Sequence, residues 1–242
     1  MLTMTGGKLK QPVKVKIAAV MSAPRIGFVN NLTIAAKVLA PLGIEVDIGY
    51  GVYWSQALTR MLEQQIAKGY DWLVVLDYDS FYVREHFLGL CRLMAEYPEA
   101  DAIMPVQIKR EGDSILASVN DDKSRQYDAA TELIEVDTGH LGLTILRASA
   151  FAKLKKPWFL PVPDGKGEWG EGHIDDDTYF WNNWRGCGLT LFIAPKILIG
   201  HLQLMITWPG RPETDSIPYH QYLNDCDANG IPEWCKLTAG MK

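Results

Sequence analysis

The sequence predicts one α/β domain built on a mainly parallel sheet with helices on both faces. The first part of the chain alternates short apolar runs with amphipathic stretches of about 10 to 15 residues, which is typical of βαβ units. The composition agrees with a folded protein, because 48% of the 242 residues are hydrophobic and 22% are charged. A chain of this length can bury a full core without disulfides or metal ions.

The first half of the chain carries the alternation most clearly. Apolar runs predict strands at 13–21, 44–48 and 72–76. Helical periodicity predicts helices at about 30–39, 55–68 and 84–96.

The second half is more irregular. Strands are predicted at 102–104, 115–119, 133–136, 190–194 and 197–200. Helices are predicted near 148–154 and at about 176–185, with a loop rich in proline, glycine and tryptophan at 157–172 and an irregular tail at the end. No linker divides the chain, so we expect a single domain over residues 1–242.

Charge and cysteine usage narrow the class of protein. The net charge of −5 disfavours non-specific nucleic-acid binding, which needs many lysines and arginines. The four cysteines form no Cys-x-x-Cys pair, which argues against a zinc knuckle or a thioredoxin-like site. No apolar run resembles a signal peptide or a membrane span, so we expect a cytoplasmic protein with reduced thiols and no membrane span.

Two acids directly follow the predicted strand at 72–76. Asp77 and Asp79 should emerge at the carboxyl end of that strand, where open α/β sheets bind ligands. Two carboxylates at this spacing repel each other unless a cation lies between them, and their oxygens suit Mg²⁺ or Mn²⁺. His201 follows the last predicted strand and should reach the same edge. The alternative is a solvated turn with a structural histidine.

Three consecutive acids precede the helix predicted at 176–185. Asp175, Asp176 and Asp177 could simply cap that helix and favour its dipole. They also follow a glycine-rich segment at 165–172 that is typical of an active-site loop. A carboxylate held at a helix start beside such a loop is suited to act as a general base.

The order of these motifs resembles the GT-A glycosyltransferases, and among them the family-2 enzymes. The apolar run that leads into Asp77-Tyr78-Asp79 is similar to their Asp-x-Asp motif. The family's run from Glu-Asp-x-x-Phe through a glycine and a proline to Gly-His is similar to residues 176–201, which contain Asp176-Asp177, Phe180, Gly188, Pro195 and Gly200-His201. The resemblance covers about residues 15–203.

Two further segments support the resemblance, and one position departs from it. Residues 137–140 with Arg147 and Phe151 resemble the family's acceptor segment, and Pro157-Trp158-Phe159 fits variants of the family. Asp176 stands where the family has glutamate, so the choice of catalytic acid stays open between Asp176 and Asp177. The segment after His201 matches no part of the pattern.

The resemblance implies a GT-A fold and a metal-dependent, inverting glycosyltransferase that uses a nucleoside-diphosphate sugar. It implies a nucleotide-sugar-binding half at 13–104, an acceptor and catalytic half at 105–203 and a tail at 204–242. The cofactor would be Mn²⁺ or Mg²⁺. The implied metal ligands are Asp77, Asp79 and His201. The implied donor-binding residues are Pro24, Arg25, Asp47 at the end of the second strand, Arg60 at the head of the following helix, Asp77 and Tyr78. The implied acceptor-binding residues are Gly139, His140 and Trp169, and Asp177 or Asp176 would be the base.

Other functions remain open at this point. A sugar nucleotidyltransferase would normally carry a glycine-rich, basic phosphate loop, but residues 22–27 contain one glycine and no lysine. A glycoside hydrolase would need two facing carboxylates without a metal. A sugar- or nucleotide-binding module without turnover would have the same ligands. The acceptor could be a glycan, a protein, a lipid or a modified nucleobase.

One late motif concerns a different metal. Asp225, Asp227, Asn229 and Gly230 resemble the first half of a calcium loop, but the twelfth position is Lys236, which excludes a complete EF-hand. A helix that ends at a glycine cap explains these residues equally well.

Overall fold

The structure is a computed structural model that describes residues 1–5, 8–24, 27–51, 53–109, 114–118, 130–208 and 219–222. The helices are α1 (Val29–Leu39), α2 (Trp54–Ala67), α3 (Arg84–Glu96) and α4 (Asp176–Gly186). The strands are β1 (Leu2–Met4), β2 (Val13–Val15), β3 (Ile17–Ala23), β4 (Val46–Tyr50), β5 (Trp72–Asp77), β6 (Ser80–Phe81), β7 (Ala102–Val106), β8 (Ala117–Ser118), β9 (Ile134–Glu135), β10 (Thr138–Gly139), β11 (Leu143–Arg147), β12 (Leu191–Leu198), β13 (Gly200–His201), β14 (Met205–Trp208) and β15 (Tyr219–Tyr222).

The contacts divide the chain into two units. Residues 1–109 and 113–201 form the first unit, which contains all four helices and the main sheet. Residues 110–112 and 202–242 form the second unit, in which β14 and β15 pair as antiparallel strands.

The main sheet has seven strands in the order β4-β3-β5-β11-β7-β12-β9. The pairs β3–β4, β3–β5 and β7–β12 are parallel, whereas β11 runs antiparallel to both of its neighbours and β9 runs antiparallel to β12. Five of the seven strands, all except β11 and β9, therefore run in the same direction, so the sheet is mixed and mainly parallel, as the sequence predicts.

Both faces of the sheet are covered because the central strands are apolar on both sides. Along β5, Leu73 and Val75 contact the core that contains the apolar faces of α2 and α4. Trp72, Val74 and Leu76 contact the opposite core, which contains α1 and α3. Successive residues of a strand point to opposite faces, so one buried strand supplies both cores.

Several predicted elements differ from the observed ones. The helix predicted near 148–154 is a 3₁₀ turn at Ala148–Ala152. The two strands predicted at 190–194 and 197–200 are the single strand β12, which continues through an irregularity between Ala194 and Leu198, and then β13. No strand was predicted at Leu143–Arg147, at Leu2–Met4 or in the tail, where the structure has β11, β1 and the β14–β15 pair.

Arg147, at the end of β11, holds the end of α3 in place. Its guanidinium donates hydrogen bonds to the carbonyl oxygens of Ala100 (2.7 Å), Met94 (2.7 Å) and Tyr97 (3.1 Å). The last carbonyls of a helix lack partners within the helix, so this side chain satisfies groups that would otherwise be left unbonded.

We therefore expect Arg147→Met to lower the free energy of unfolding by about 2 to 4 kcal/mol, because several carbonyls lose their donor. Urea unfolding checks this value. Arg84→Met is the matched control, since Arg84 is exposed and its loss should change stability by no more than about 0.5 kcal/mol. Equal losses in the two variants would contradict this role for Arg147.

Candidate active site

Residues 77–80, which we call the acidic turn, lie at the carboxyl edge of the parallel strands. Asp77 is the last residue of β5 and pairs in register with Ser22 on β3. Its backbone N–H donates to the carbonyl of Gly142 (3.3 Å), and its Oδ1 accepts from the N–H of Tyr78 (3.2 Å). Open α/β sheets bind ligands at this edge.

Asp79 and His201 meet at the end of this turn. Strand β6 pairs with β13, and His201 lies opposite Ser80, the residue that follows Asp79. The Oδ2 atom of Asp79 lies 3.3 Å from Nε2 of His201, and the two side chains are 1% and 13% exposed. The fold therefore brings together two side chains that are 122 positions apart in the sequence.

The chemistry of this pair fits a divalent cation. Nδ1 of His201 lies 2.8 Å from the carbonyl oxygen of Ile108, which can only accept, so Nδ1 carries the proton in this contact. If the ring is neutral, Nε2 is unprotonated, so its lone pair faces a carboxylate oxygen that is also an acceptor. Two acceptors repel each other at this distance unless the ring takes up a proton or a cation binds between them. Metal-ligating histidines commonly donate their second N–H to a backbone carbonyl in this way.

The predicted third ligand is not part of this pair. Within the described part of the chain, no three His, Cys, Asp or Glu side chains are grouped closely enough to hold a metal ion. The structure thus brings Asp79 and His201 together but does not assemble Asp77 with them into a closed set of ligands.

The acids at the start of α4 lie in a poorly solvated environment. Asp176 accepts a hydrogen bond from the Ser55 side chain, and Asp177 Oδ1 accepts one from the N–H of Thr178 (2.7 Å). Burial raises the pKa of both carboxyls, and the negative charge of Asp175 raises each of them further. Their hydrogen bonds oppose this rise in part. Carboxylates with raised pKa values are stronger bases than ordinary ones.

A chain of contacts links the start of α4 to the acidic turn. Ser22, which pairs with Asp77, donates its hydroxyl to the carbonyl of Trp54 (3.1 Å). The next residue, Ser55, contacts Asp176. The carboxyl edge of the sheet, the start of α2 and the start of α4 therefore adjoin one another.

Two donor-binding expectations rest on wrong placements. The second strand begins at Val46 rather than at 44, so Asp47 lies near its amino end instead of its carboxyl end. Its Oδ2 accepts a hydrogen bond from Gln65 of α2 (2.9 Å), and it lines a cavity of about 870 Å³ together with Lys16 and Lys68. Arg60 is an exposed residue in the middle of α2, not at its head.

The other predicted donor-binding residues lie closer to the turn. Pro24 directly follows β3 at the carboxyl edge. The ring of Tyr78 stacks on that of Phe28, with centroids 6.4 Å apart and planes 13° apart. Arg25 and the calcium-like motif at 225–230 lie outside the described residues.

The predicted acceptor residues differ in exposure. Trp169 is 60% exposed, in a loop whose ends are joined by backbone pairing of Val162 with Ile174. His140 is buried, with Nε2 2.9 Å from the Pro105 carbonyl and Nδ1 accepting from the N–H of Gly142 (3.0 Å). Burial lowers the pKa of His140 to about 4, so its ring is neutral at physiological pH.

Gly139 is closely packed, because a Cβ atom there would lie 2.2 Å from the Met104 sulfur. A side chain at this position would therefore require the end of the Met104 side chain to move.

Three polar residues that contact the site were not predicted from the sequence, namely Ser55, Asn31 and Gln107. Gln107 directly follows β7, but it was missed because the strand was predicted to end at 104. Ser55 was placed at a helix start, where a serine is usually taken as a cap. Nothing in the local sequence distinguishes Asn31 from an ordinary polar residue of an amphipathic helix.

The described helices were compared with the length and hydropathy that a membrane span requires. None of those in the described residues combines the length and the apolar character needed to cross a bilayer.

Comparison with known proteins identifies the fold. No protein-family model matches the sequence, and no curated protein sequence matches it. A197 from STIV is similar in structure, with a TM-score of 0.56 and 18% identity over 77% of this chain and 85% of that chain. GalNAc-T7, solved with UDP, GalNAc and Mn²⁺, gives a TM-score of 0.52 and 13% identity over 78% of this chain.

The mannosyltransferase PcManGT from Pyrobaculum calidifontis, solved with GDP-Man and Mn²⁺, gives a TM-score of 0.46 and 10% identity, covering 79% of this chain and 58% of that chain. This chain spans 44% of the GalNAc-T7 chain, which is less than half of its length. The sheet, its flanking helices and the similarity to GalNAc-T7 show that this chain has a fold of the GT-A glycosyltransferase type.

Proposed function

We propose that this chain is a metal-dependent glycosyltransferase that moves a sugar from a nucleoside-diphosphate sugar to an acceptor hydroxyl. The observation that carries the proposal is the contact between Asp79 and His201 at the carboxyl edge of a GT-A sheet. A protein of similar fold, GalNAc-T7, was solved with UDP and Mn²⁺, which supports the donor class.

The donor end of the site is formed by the acidic turn. Asp79 and His201 would hold Mn²⁺ or Mg²⁺, with Asp77 of the same turn as the proposed third ligand. When bound, the cation would act as a Lewis acid and stabilise the negative charge that develops on the departing diphosphate. Tyr78 next to Phe28, together with the segment at Pro24 and Arg25, would hold the nucleoside. Asp47 and Arg60 have no part in this arrangement.

The acceptor end of the site is formed by the start of α4 and the loop before it. Asp177, or Asp176 as the alternative, would take the proton from the acceptor hydroxyl. The hydroxyl oxygen would attack the anomeric carbon opposite the diphosphate, which inverts the configuration. Trp169 would stack on the acceptor, and His140 would act indirectly by fixing residues 139–142. The acceptor would be a glycan, a protein, a lipid or a modified nucleobase.

The release of nucleoside diphosphate from a panel of sugar nucleotides tests this proposal, measured with Mn²⁺ and again with a chelator. We expect slow hydrolysis of one donor that stops when the metal is removed. Metal-dependent binding without release would favour a sugar-nucleotide-binding module. Neither release nor metal-dependent binding of any donor by calorimetry would contradict the proposal.

A further inference from the structure

Most of the buried polar side chains that the structure describes lie behind the acidic turn. Polar groups are rarely buried unless they make specific hydrogen bonds. A cluster of them beneath one turn therefore indicates that the position of that turn is fixed. The members of the cluster are Asn31, Ser80, Gln107, His140 and Thr144.

Asn31 spans the turn from below. It lies in the first turn of α1 and is fully buried. Its Nδ2 donates to the carbonyl of Asp77 (3.0 Å) and to the carbonyl of Ser80 (2.7 Å). These two carbonyls lie on either side of Tyr78 and Asp79, so a single amide group sets the distance across the acidic turn.

The oxygen of the same amide makes no hydrogen bond within the described part of the chain. Among the described residues, the buried Asn31 Oδ1 has no hydrogen-bond partner, which is unfavourable for a group of this kind. An apolar residue would avoid this loss, so the benefit of Asn31 lies in what its Nδ2 holds in place. A buried polar atom left unsatisfied in this way is expected at functional sites.

Gln107 joins β6, which directly follows Asp79, to β13, which contains His201. Its Nε2 donates to Ser80 Oγ (3.2 Å) and to the carbonyl of Gly200 (3.1 Å). Ser80 follows Asp79 and Gly200 precedes His201, so this amide fixes the separation of those two side chains. These groups are tightly packed against Gly142, because a Cβ atom there would lie 2.6 Å from Ser80 Oγ and 2.7 Å from Gln107 Oε1.

We propose that Asn31 and Gln107 are positioning residues that preset the geometry of Asp79 and His201 for binding a divalent cation. Neither residue touches the ligand. Asn31 fixes the turn that carries Asp79, and Gln107 fixes β6 against β13. This inference rests on the proposed function, because it assumes that the pair binds a metal.

The test compares three substitutions that each remove one buried amide without adding charge. Asn31→Leu and Gln107→Met remove the two positioning amides. Gln65→Met is the matched control, because Gln65 is also a buried amide but donates to Asp47, which is not part of the acidic turn. Binding of Mn²⁺ is measured by calorimetry, alone and with UDP or GDP, and each melting temperature is recorded. Should Asn31→Leu fail to fold, Asn31→Ser takes its place.

We expect Asn31→Leu and Gln107→Met to weaken Mn²⁺ binding by about 10- to 100-fold, the usual effect of losing a residue that orients a metal ligand. Gln65→Met should bind Mn²⁺ as the unmodified chain does, even where its melting temperature falls equally. Unchanged binding in the first two variants, or equal weakening in all three, would overturn the inference alone. Failure of the unmodified chain to bind Mn²⁺ would overturn both it and the metal site of the proposed function.

Discussion

Replacing Asp79 with asparagine is expected to abolish metal-dependent cleavage of the donor while the fold stays intact. Asparagine has the same shape but no charge, so Asp79→Asn removes the anionic partner that lies 3.3 Å from His201. A metal ion supplies several kcal/mol of charge stabilisation, and each 1.4 kcal/mol is a factor of ten, so we expect a loss of about 1,000-fold or more. Nucleoside-diphosphate release with Mn²⁺ and with chelator measures it.

The control for this variant is a core substitution in β5, the strand that leads into the turn containing Asp79. Leu76 is 1% exposed and lies three residues before Asp79, so Leu76→Ala should cost about 2 to 5 kcal/mol of stability. It should retain metal-dependent release at temperatures where it is folded. If Asp79→Asn lost as much stability as Leu76→Ala, Asp79 would be a structural residue and the metal assignment would be wrong.

Replacing Asp177 with asparagine is expected to leave donor binding unchanged but to slow sugar transfer. General-base catalysis contributes about 100- to 10,000-fold, and we expect Asp177→Asn to lose a factor in that range. Donor affinity by calorimetry and the transfer rate, measured on the same samples, separate the two effects. Asp176→Asn is the matched comparison, because both carboxyls lie in the first turn of α4.

Stability provides a second readout for Asp177→Asn. Burial raises the pKa of Asp177, so the folded state favours the neutral carboxyl over the charged one. The stabilising contribution of this group is present below its unfolded pKa of about 4 and is lost as the pH rises through the folded pKa. At pH 7 the asparagine variant should therefore be no less stable than the unmodified chain. Any gain in stability of Asp177→Asn over the unmodified chain should disappear below about pH 4, where the carboxyl is neutral in both the folded and the unfolded state. Melting temperatures of the two proteins, measured at about pH 7 and at low pH, check this.

Two results would change the assignment of the base. If Asp177→Asn lost donor binding, Asp177 would belong to the donor or metal site. If Asp176→Asn alone lost transfer, Asp176 would be the base.

Helices were more predictable from the sequence than strands. The helix predicted at 84–96 coincides with α3, because one buried face imposes a repeating apolar pattern on the sequence. Strand β11 was missed because its apolar run is short and is interrupted by Thr144, a polar residue that the structure nevertheless buries. The start of the second strand was predicted two residues too early because Ile44 is apolar, and the structure does bury it. Ile44 nevertheless precedes the strand, so burial alone does not identify strand residues.

The candidate site was predictable only where chemistry follows directly from position along a strand. Asp77 and Asp79 could be singled out because they follow an apolar run, and His201 because it follows another. The contact of Asp79 with His201 depends on the pairing of β6 with β13, which local sequence does not encode. The hydrogen bonds of Asn31 to residues 46 and 49 positions away depend on how α1 packs against the sheet, so no motif contains them.

The central claim is that Asp79 and His201 hold a divalent cation beside a nucleoside diphosphate. Crystals grown with Mn²⁺ and UDP or GDP, examined by anomalous scattering of manganese, test it most directly. We expect a manganese peak within bonding distance of both side chains, with the diphosphate next to it. A nucleoside diphosphate bound with no manganese at this pair, or with manganese held by other residues, would contradict the proposed metal site.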